Sequence, residues 1–176
     1  YIEQYKGRNI ILSPHCTAHI TEKLPAESNI IWNNDATASM KAIKNDCEIE
    51  GFKKSMLSEG IAMTKLLYWL KNSIGKEDLS EIDIDRKLTE LRAEDKEFCS
   101  LSFATIAAYG ENGAIVHYEP TEKEHSQLKP EGFLLLDCGG QYKYGTTDIT
   151  RTIPLGPLTQ EQKEDYTRVL RGHISL

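Results

Sequence analysis

Two aspartates, Asp137 and Asp148, stand eleven positions apart in the segment DCGGQYKYGTTDITRT. An apolar run, Phe133–Leu136, leads directly into the first of them. A carboxylate at the end of a buried strand is unfavourable unless something compensates its charge. Two carboxylates that face each other also repel, and bound cations would resolve both problems. The pair therefore predicts half of a metal site.

The spacing of the two aspartates gives this site a geometry. If they lie in an antiparallel hairpin centred between Tyr142 and Lys143, they stand directly opposite, with Cβ atoms about 4.5–5.5 Å apart. That separation suits two ions about 3.5–4 Å apart, and oxygen ligands favour manganese, magnesium or zinc. The alternative is a turn in which both aspartates are solvated or bond to their own backbone. The pattern alone leaves both interpretations open.

Composition excludes several classes of protein. The chain has 176 residues, of which 39% are hydrophobic and 27% charged, which is typical of a soluble globular protein. A net charge of −6 argues against a nucleic-acid-binding face, which needs clustered Lys and Arg. No apolar run approaches the roughly 20 residues of a membrane span. The four cysteines lack zinc spacing and are expected to be free thiols in a reducing cytoplasm.

The apolar periodicity predicts helices first, then a sheet, then a final helix. Asn9–Leu12 and Asn29–Trp32 are short strand candidates. A long amphipathic helix follows, with a capping-box-like start at Asn45 and Glu48 and an end near Asn72 to Gly75. Its predicted buried stripe consists of Ile49, Phe52, Met56, Met63, Leu66, Leu67 and Leu70.

The second part of the chain carries further capping and strand signals. Ser80 with Asp83 begins a second helix, and Thr159 with Gln162 begins a last one that runs to about Arg171. Between them, Phe98–Ala108 predicts one buried strand, and two more strands are expected near 132–138 and 146–153. The fold class is therefore α+β, with long helices packed on an antiparallel-rich sheet.

Three motifs in order resemble one known family. They are KAIKNDCEIEGFKKSMLSEGIAMTKLLYWL from Lys41, GENGAIVHYEP from Gly110, and the hairpin DCGGQYKYGTTDITRT from Asp137. They are similar to the Xaa-Pro aminopeptidase (aminopeptidase P) family of the pita-bread metallopeptidase superfamily. The resemblance implies that residues 39–176 form the first half of a pita-bread, creatinase/aminopeptidase-like catalytic domain. Residues 1–38 would then be the tail of a preceding non-catalytic domain with its linker.

The resemblance also implies roles for individual residues. Asp137 would bind one divalent ion and Asp148 would bridge two, most often manganese, with zinc or cobalt as alternatives. His117 would contact a peptide substrate whose second residue is proline, whereas the residues alone favour a buried, hydrogen-bonded histidine. Strand alternation predicts that Thr150 supports the site, that Arg151 points to the opposite face in a structural role, and that Cys138 packs in the interior.

The family site needs a histidine and two glutamates in addition to the two aspartates, and the resemblance places those after the end of this sequence. We therefore expect the chain alone to lack peptidase activity, to bind manganese weakly and to expose apolar surface that favours self-association, for example as a homodimer. Two alternatives stay open at this point. One is a metal-free pita-bread module that binds peptides or proteins, and the other is a related prolidase or creatinase.

Overall fold

The computed structural model describes residues 2–34 and 36–176. The chain divides into two compact units, and the boundary lies between Asp46 and Cys47. The first unit contains strand β1 (Asn9–Leu12), helix α1 (Ala18–Glu22), strand β2 (Asn29–Trp32) and helix α2 (Ala36–Ala42). Strands β1 and β2 pair in parallel, and both strand predictions are confirmed. The expected domain boundary between residues 38 and 39 stays a prediction.

The second unit holds the remaining elements. Its helices are α3 (Asp46–Ser73), α4 (Glu81–Ala93) and α5 (Gln160–Ser175), and a short 3-10 helix spans Gly110–Ala114. Its strands are β3 (Phe98–Leu101), β4 (Ile106–Tyr109), β5 (Phe133–Cys138), β6 (Gly140–Tyr142), β7 (Gly145–Thr146) and β8 (Ile149–Pro154). Full capping boxes begin α4 and α5, as the sequence predicted. None of the described helices is both long enough and apolar enough to cross a membrane.

Two antiparallel three-stranded sheets accompany these helices. One has the order β4–β5–β8, and the other has the order β3–β6–β7. The α+β class is confirmed, but the single strand predicted for Phe98–Ala108 is wrong. That stretch is two strands in two sheets, because β3 pairs with β6 whereas β4 pairs with β5.

The buried face of α3 differs from the predicted stripe in the first half of the helix. Gly51, Ser55 and Glu59 are buried there, whereas Ile49, Phe52 and Met56 are partly exposed at 41%, 38% and 43%. A Cβ atom at Gly51 would lie 2.2 Å from the carbonyl oxygen of Tyr144. The helix therefore approaches the hairpin between β6 and β7 through small and polar residues, which hydrophobic periodicity cannot reveal.

Strand β5 separates the core from the candidate site. Leu134, Leu136 and Cys138 are fully buried against α3 and α4 residues such as Leu66 and Leu88. Successive strand residues point to opposite faces, so Asp137 points away from this core. The interior position predicted for Cys138 is confirmed.

Candidate metal centre

Asp137 lies near the end of the central strand of the β4–β5–β8 sheet. It pairs with Ile106 on one side and with Thr150 on the other. Thr150 Oγ1 donates a hydrogen bond to Asp137 Oδ1 over 2.8 Å. This bond fixes one carboxylate oxygen, and Oδ2 has no hydrogen-bond partner among the described residues. The support predicted from Thr150 thus takes the form of a direct contact.

Asp148 immediately precedes β8 and is exposed, while its neighbours Thr147 and Ile149 are buried at 1% and 9% exposure. This alternation turns Asp148 to the same side as Thr150. The predicted direct opposition to Asp137 is wrong, since the ladder places Thr150 opposite Asp137. The turn is Lys143–Tyr144, one residue later than expected, because Tyr142 pairs with Gly145.

The shifted register still leaves the two carboxylates near each other. The last pair of the ladder joins Cys138 and Ile149. If the same register continues by one residue, Asp148 lies opposite Gly139, which is two residues after Asp137 and on the same face of the strand as Asp137. Such diagonal neighbours are about 7–8 Å apart, within reach of acidic side chains. A Cβ atom at Gly139 would meet the Thr147 carbonyl oxygen at 2.0 Å, so the close approach of the two strands requires glycine there.

The donor set fits a divalent cation in kind but is incomplete in number. Carboxylate oxygens suit manganese or magnesium, which take about six oxygen ligands. Across residues 2–34 and 36–176, no group of three or more His, Cys, Asp or Glu side chains could hold a metal ion. This chain therefore supplies two candidate ligands for a metal site, the two aspartates on one face of the sheet.

His117 lies in the loop after the 3-10 helix and is exposed. Its φ of 56° is the only positive value among the described residues other than glycine. This backbone conformation is uncommon for a residue with a side chain, and histidine tolerates it better than most. The buried histidine that the residues alone favoured is therefore not found. Within the described part of the chain, no hydrogen bond or ion pair joins His117 to either aspartate.

The loop that carries His117 is held by Glu81, which sequence analysis missed. Glu81 is fully buried at the start of α4, and its carboxylate accepts hydrogen bonds from four groups. They are the backbone amides of Tyr109 and Ser126, both at 2.7 Å, the Asn112 side-chain amide at 2.9 Å and the Tyr118 hydroxyl at 2.7 Å. Burial, followed by the bond to Glu81, raises the pKa of Tyr118 to about 12.

A second buried acid, Glu59, was also missed. It pairs with Arg92 and reaches the hairpin that carries the aspartates. The sequence does contain a pattern that could have identified Glu59. Gly51, Ser55 and Glu59 lie on the same face of α3 as the buried Met63 and Leu66, at helical spacing. A glutamate on a core-facing line is rarely buried unless it is paired.

Other predicted residues play lesser parts. Arg151 Nη1 donates to the backbone oxygen of Thr150, and Arg151 forms no ion pair within the described residues.

The expected exposure of apolar surface is confirmed on α5, where Val169, Leu170 and Ile174 are 74%, 43% and 73% exposed. Between α5 and the open face of the sheet lies a groove of about 690 Å³.

Comparison with known proteins decides the family. The model of metallopeptidase family M24 matches residues 50–176, which include both aspartates, Thr150 and His117. The chain belongs to metallopeptidase family M24. A probable Xaa-Pro aminopeptidase P of Arthroderma otae is 42% identical to this M24 chain over 168 residues, which are 94% of the chain and 27% of that relative. The chain thus spans about a quarter of the length of the curated relatives it matches.

Solved structures agree with the predicted fold. The X-prolyl aminopeptidase of Caenorhabditis elegans, described as a cytosolic enzyme with a di-nuclear active site, has a TM-score of 0.79 and 31% identity. That match covers 86% of this M24 chain and 25% of the nematode chain. An Xaa-Pro dipeptidase of Bacillus anthracis has a TM-score of 0.74 and 26% identity, with 91% and 43% covered. The prediction of a pita-bread fold is confirmed.

Proposed function

We propose that the protein containing this chain is a metal-dependent aminopeptidase that releases the N-terminal residue from peptides with proline in second position. The observation that carries the proposal is the shared face of Asp137 and Asp148, in a chain of family M24 whose relatives are named Xaa-Pro aminopeptidases. The hydrogen bond from Thr150 orients the first carboxylate on that face.

Each residue has a part in this proposal. Asp137, oriented by the hydrogen bond from Thr150, would hold one cation, and the exposed Asp148 would bridge two. Two bound divalent ions would lower the pKa of a shared water and stabilise the oxyanion formed at the scissile carbonyl. His117 would bind the peptide near its proline, because its imidazole is exposed on a loop fixed through Tyr118.

Three finer features belong to the same proposal. The ions are manganese, with zinc or cobalt as alternatives. The protein is cytoplasmic, which is supported by the free state of its four cysteines and by the description of the nematode relative as cytosolic. It forms a homodimer, and the isolated chain would also self-associate through the apolar residues exposed on α5.

The decisive experiment measures manganese binding and Xaa-Pro-Xaa cleavage in the full-length protein and in its Asp137→Asn and Asp148→Asn variants. Both variants should lose at least 100-fold in kcat/KM, because an amide replaces a charged ligand. The control is Asp78→Asn, an exposed aspartate in the loop between α3 and α4. Wild-type activity and manganese affinity in Asp148→Asn would refute the proposal.

The same measurements separate the two alternatives. A prolidase, favoured by the likeness to the Bacillus anthracis dipeptidase, would cleave Xaa-Pro dipeptides faster than Xaa-Pro-Xaa peptides. A metal-free binding module would bind proline-containing peptides without cleaving them, and the aspartate substitutions would leave that binding unchanged.

A further inference from the structure

A fully buried ion pair links helices α3 and α4 of the second unit. Arg92 Nη2 of α4 lies 2.6 Å from Glu59 Oε1 of α3, and Arg92 Nε lies 3.1 Å from both carboxylate oxygens. Both side chains have 0% exposure. This pair is far from solvent and belongs to neither the proposed ligands nor the His117 loop.

The carboxylate of Glu59 also holds the strand that leads into Asp148. Its Oε2 accepts hydrogen bonds from Tyr142 Oη and Thr147 Oγ1, both at 3.1 Å. Thr147 is the residue immediately before Asp148. The same hydroxyl accepts the backbone N–H of Gly140 at 2.9 Å, and Ser102 Oγ donates to the backbone oxygen of Thr147 at 3.0 Å. Thr147 is therefore fixed from three directions.

The strand that carries Asp137 is fixed within the same interior. Cys138, the residue immediately after Asp137, is fully buried, and its Sγ donates to the backbone oxygen of Ile149, the residue after Asp148, over 3.6 Å. The ion pair itself reaches Thr147, the residue before Asp148.

Stability alone is a poor explanation for this arrangement. A buried ion pair loses the hydration of both charges, and well-packed apolar residues of similar volume are often equally stable or more so. Arg92 Nη1 also makes no hydrogen bond of normal geometry within the described residues, which adds an unsatisfied buried donor. What the pair supplies, and an apolar pair could not, is directed bonding to Tyr142 and Thr147.

We propose that Glu59 and Arg92 are positioning residues that set the direction of Asp148 relative to Asp137 for metal binding. The inference rests on the proposed function, because it assumes that the two aspartates are ligands. Neither residue touches metal or substrate. They act through Thr147, the backbone neighbour of Asp148.

The test uses the full-length protein and follows manganese affinity by titration of the metal-free protein, together with the thermal midpoint. In the double variant E59M/R92M, unbranched apolar side chains replace both charges. We expect manganese to bind at least 10-fold more weakly while the thermal midpoint stays near that of the wild type. Ile84→Ala, a fully buried position on the same helix as Arg92, should lower the midpoint without changing the manganese affinity.

A second pair of variants tests the link to Asp148 if the double variant does not fold. Thr147→Val removes the hydroxyl that donates to Glu59, and Thr147→Ser keeps it. We expect Thr147→Val to weaken manganese binding at least fivefold, with kcat recovering at high manganese concentration, and Thr147→Ser to restore binding to the wild-type value.

The possible outcomes separate this inference from the proposed function. Wild-type manganese affinity in both E59M/R92M and Thr147→Val, with binding lost in Asp148→Asn, overturns the positioning role and leaves the proposed function standing. Wild-type affinity in Asp148→Asn overturns both. Weak binding in Thr147→Val but normal binding in Thr147→Ser and Ile84→Ala supports the inference.

Discussion

The hydroxyl of Tyr118 donates a hydrogen bond to Oε2 of Glu81 over 2.7 Å, and this contact ties the His117 loop to the first turn of α4. Glu81 is completely buried and no cation among the described residues pairs with it. Its charge is compensated by four donors and by its position at a helix N-terminus, where the helix dipole favours a negative charge. The position of the His117 loop thus depends on the buried carboxylate of Glu81, which binds the neighbouring Tyr118.

Replacement of Glu81 by glutamine should be strongly destabilising. The glutamine amide keeps one acceptor oxygen, but its NH2 group would replace the second oxygen. Two hydrogen-bond donors of the loop would then face another donor. Loss of charged hydrogen bonds predicts a decrease of about 2–4 kcal/mol in the free energy of unfolding, measured by urea denaturation. The control Glu90→Gln alters only an exposed i,i+3 ion pair on the same helix and should cost less than about 0.5 kcal/mol. Equal effects of the two variants would contradict this account of Glu81.

Tyr118 should make stability depend on alkaline pH. Burial and Glu81 raise its pKa in the folded protein from 10.0 to about 12. Between these values the unfolded chain releases the phenolic proton while the folded protein keeps it, so the free energy of unfolding falls as pH rises. The advantage of the wild type over Tyr118→Phe should therefore be complete below about pH 10 and shrink towards pH 12. Urea denaturation of both proteins at several pH values measures it, and a constant difference would argue against the shift.

The contact between α3 and the hairpin predicts a sharp contrast between two glycines of one helix. A methyl group at Gly51 would meet the Tyr144 carbonyl oxygen at 2.2 Å, whereas nothing lies within 4 Å of a Cβ atom at Gly60. Gly51→Ala should lower the free energy of unfolding by about 1–3 kcal/mol through overpacking. Gly60→Ala should raise it by up to about 1 kcal/mol, because alanine favours a helix. Thermal unfolding of the two variants reports both signs, and stabilisation by Gly51→Ala would show that the hairpin can move away.

Thr150 should matter for metal binding more than for folding. Thr150→Val keeps the β-branched shape but removes the hydroxyl that donates to Asp137 Oδ1. Loss of a bond that orients a ligand typically weakens metal affinity by about 10–100-fold, so manganese titration of the full-length protein should show a loss in that range. Thr152→Val, two residues along the same exposed face of β8, is the matched control and should bind manganese normally. Equal affinities in the two variants would mean that Thr150 does not orient Asp137.

Local signals in the sequence were reliable guides to the elements. The capping boxes at Ser80 and Thr159 form as predicted, since each joins residues only three positions apart. The predicted hairpin also forms, but its turn lies one residue later, so Thr150 and not Asp148 stands opposite Asp137. Moving the turn by one residue moves the partner of Asp137 by two positions and leaves every side chain on its own face, so hydrophobic alternation cannot distinguish the two registers.

The sequence by itself determined the α+β class, the two carboxylates and the side of the strand on which they lie, because strand alternation and capping depend on near neighbours in the chain. Only the tertiary structure decided what orients them. Glu59 meets Arg92, Tyr142 and Thr147 across 33, 83 and 88 positions, and Glu81 meets Tyr118 across 37. A buried charge is tolerated only where distant donors converge on it, and that convergence exists only once the helices and sheets have packed.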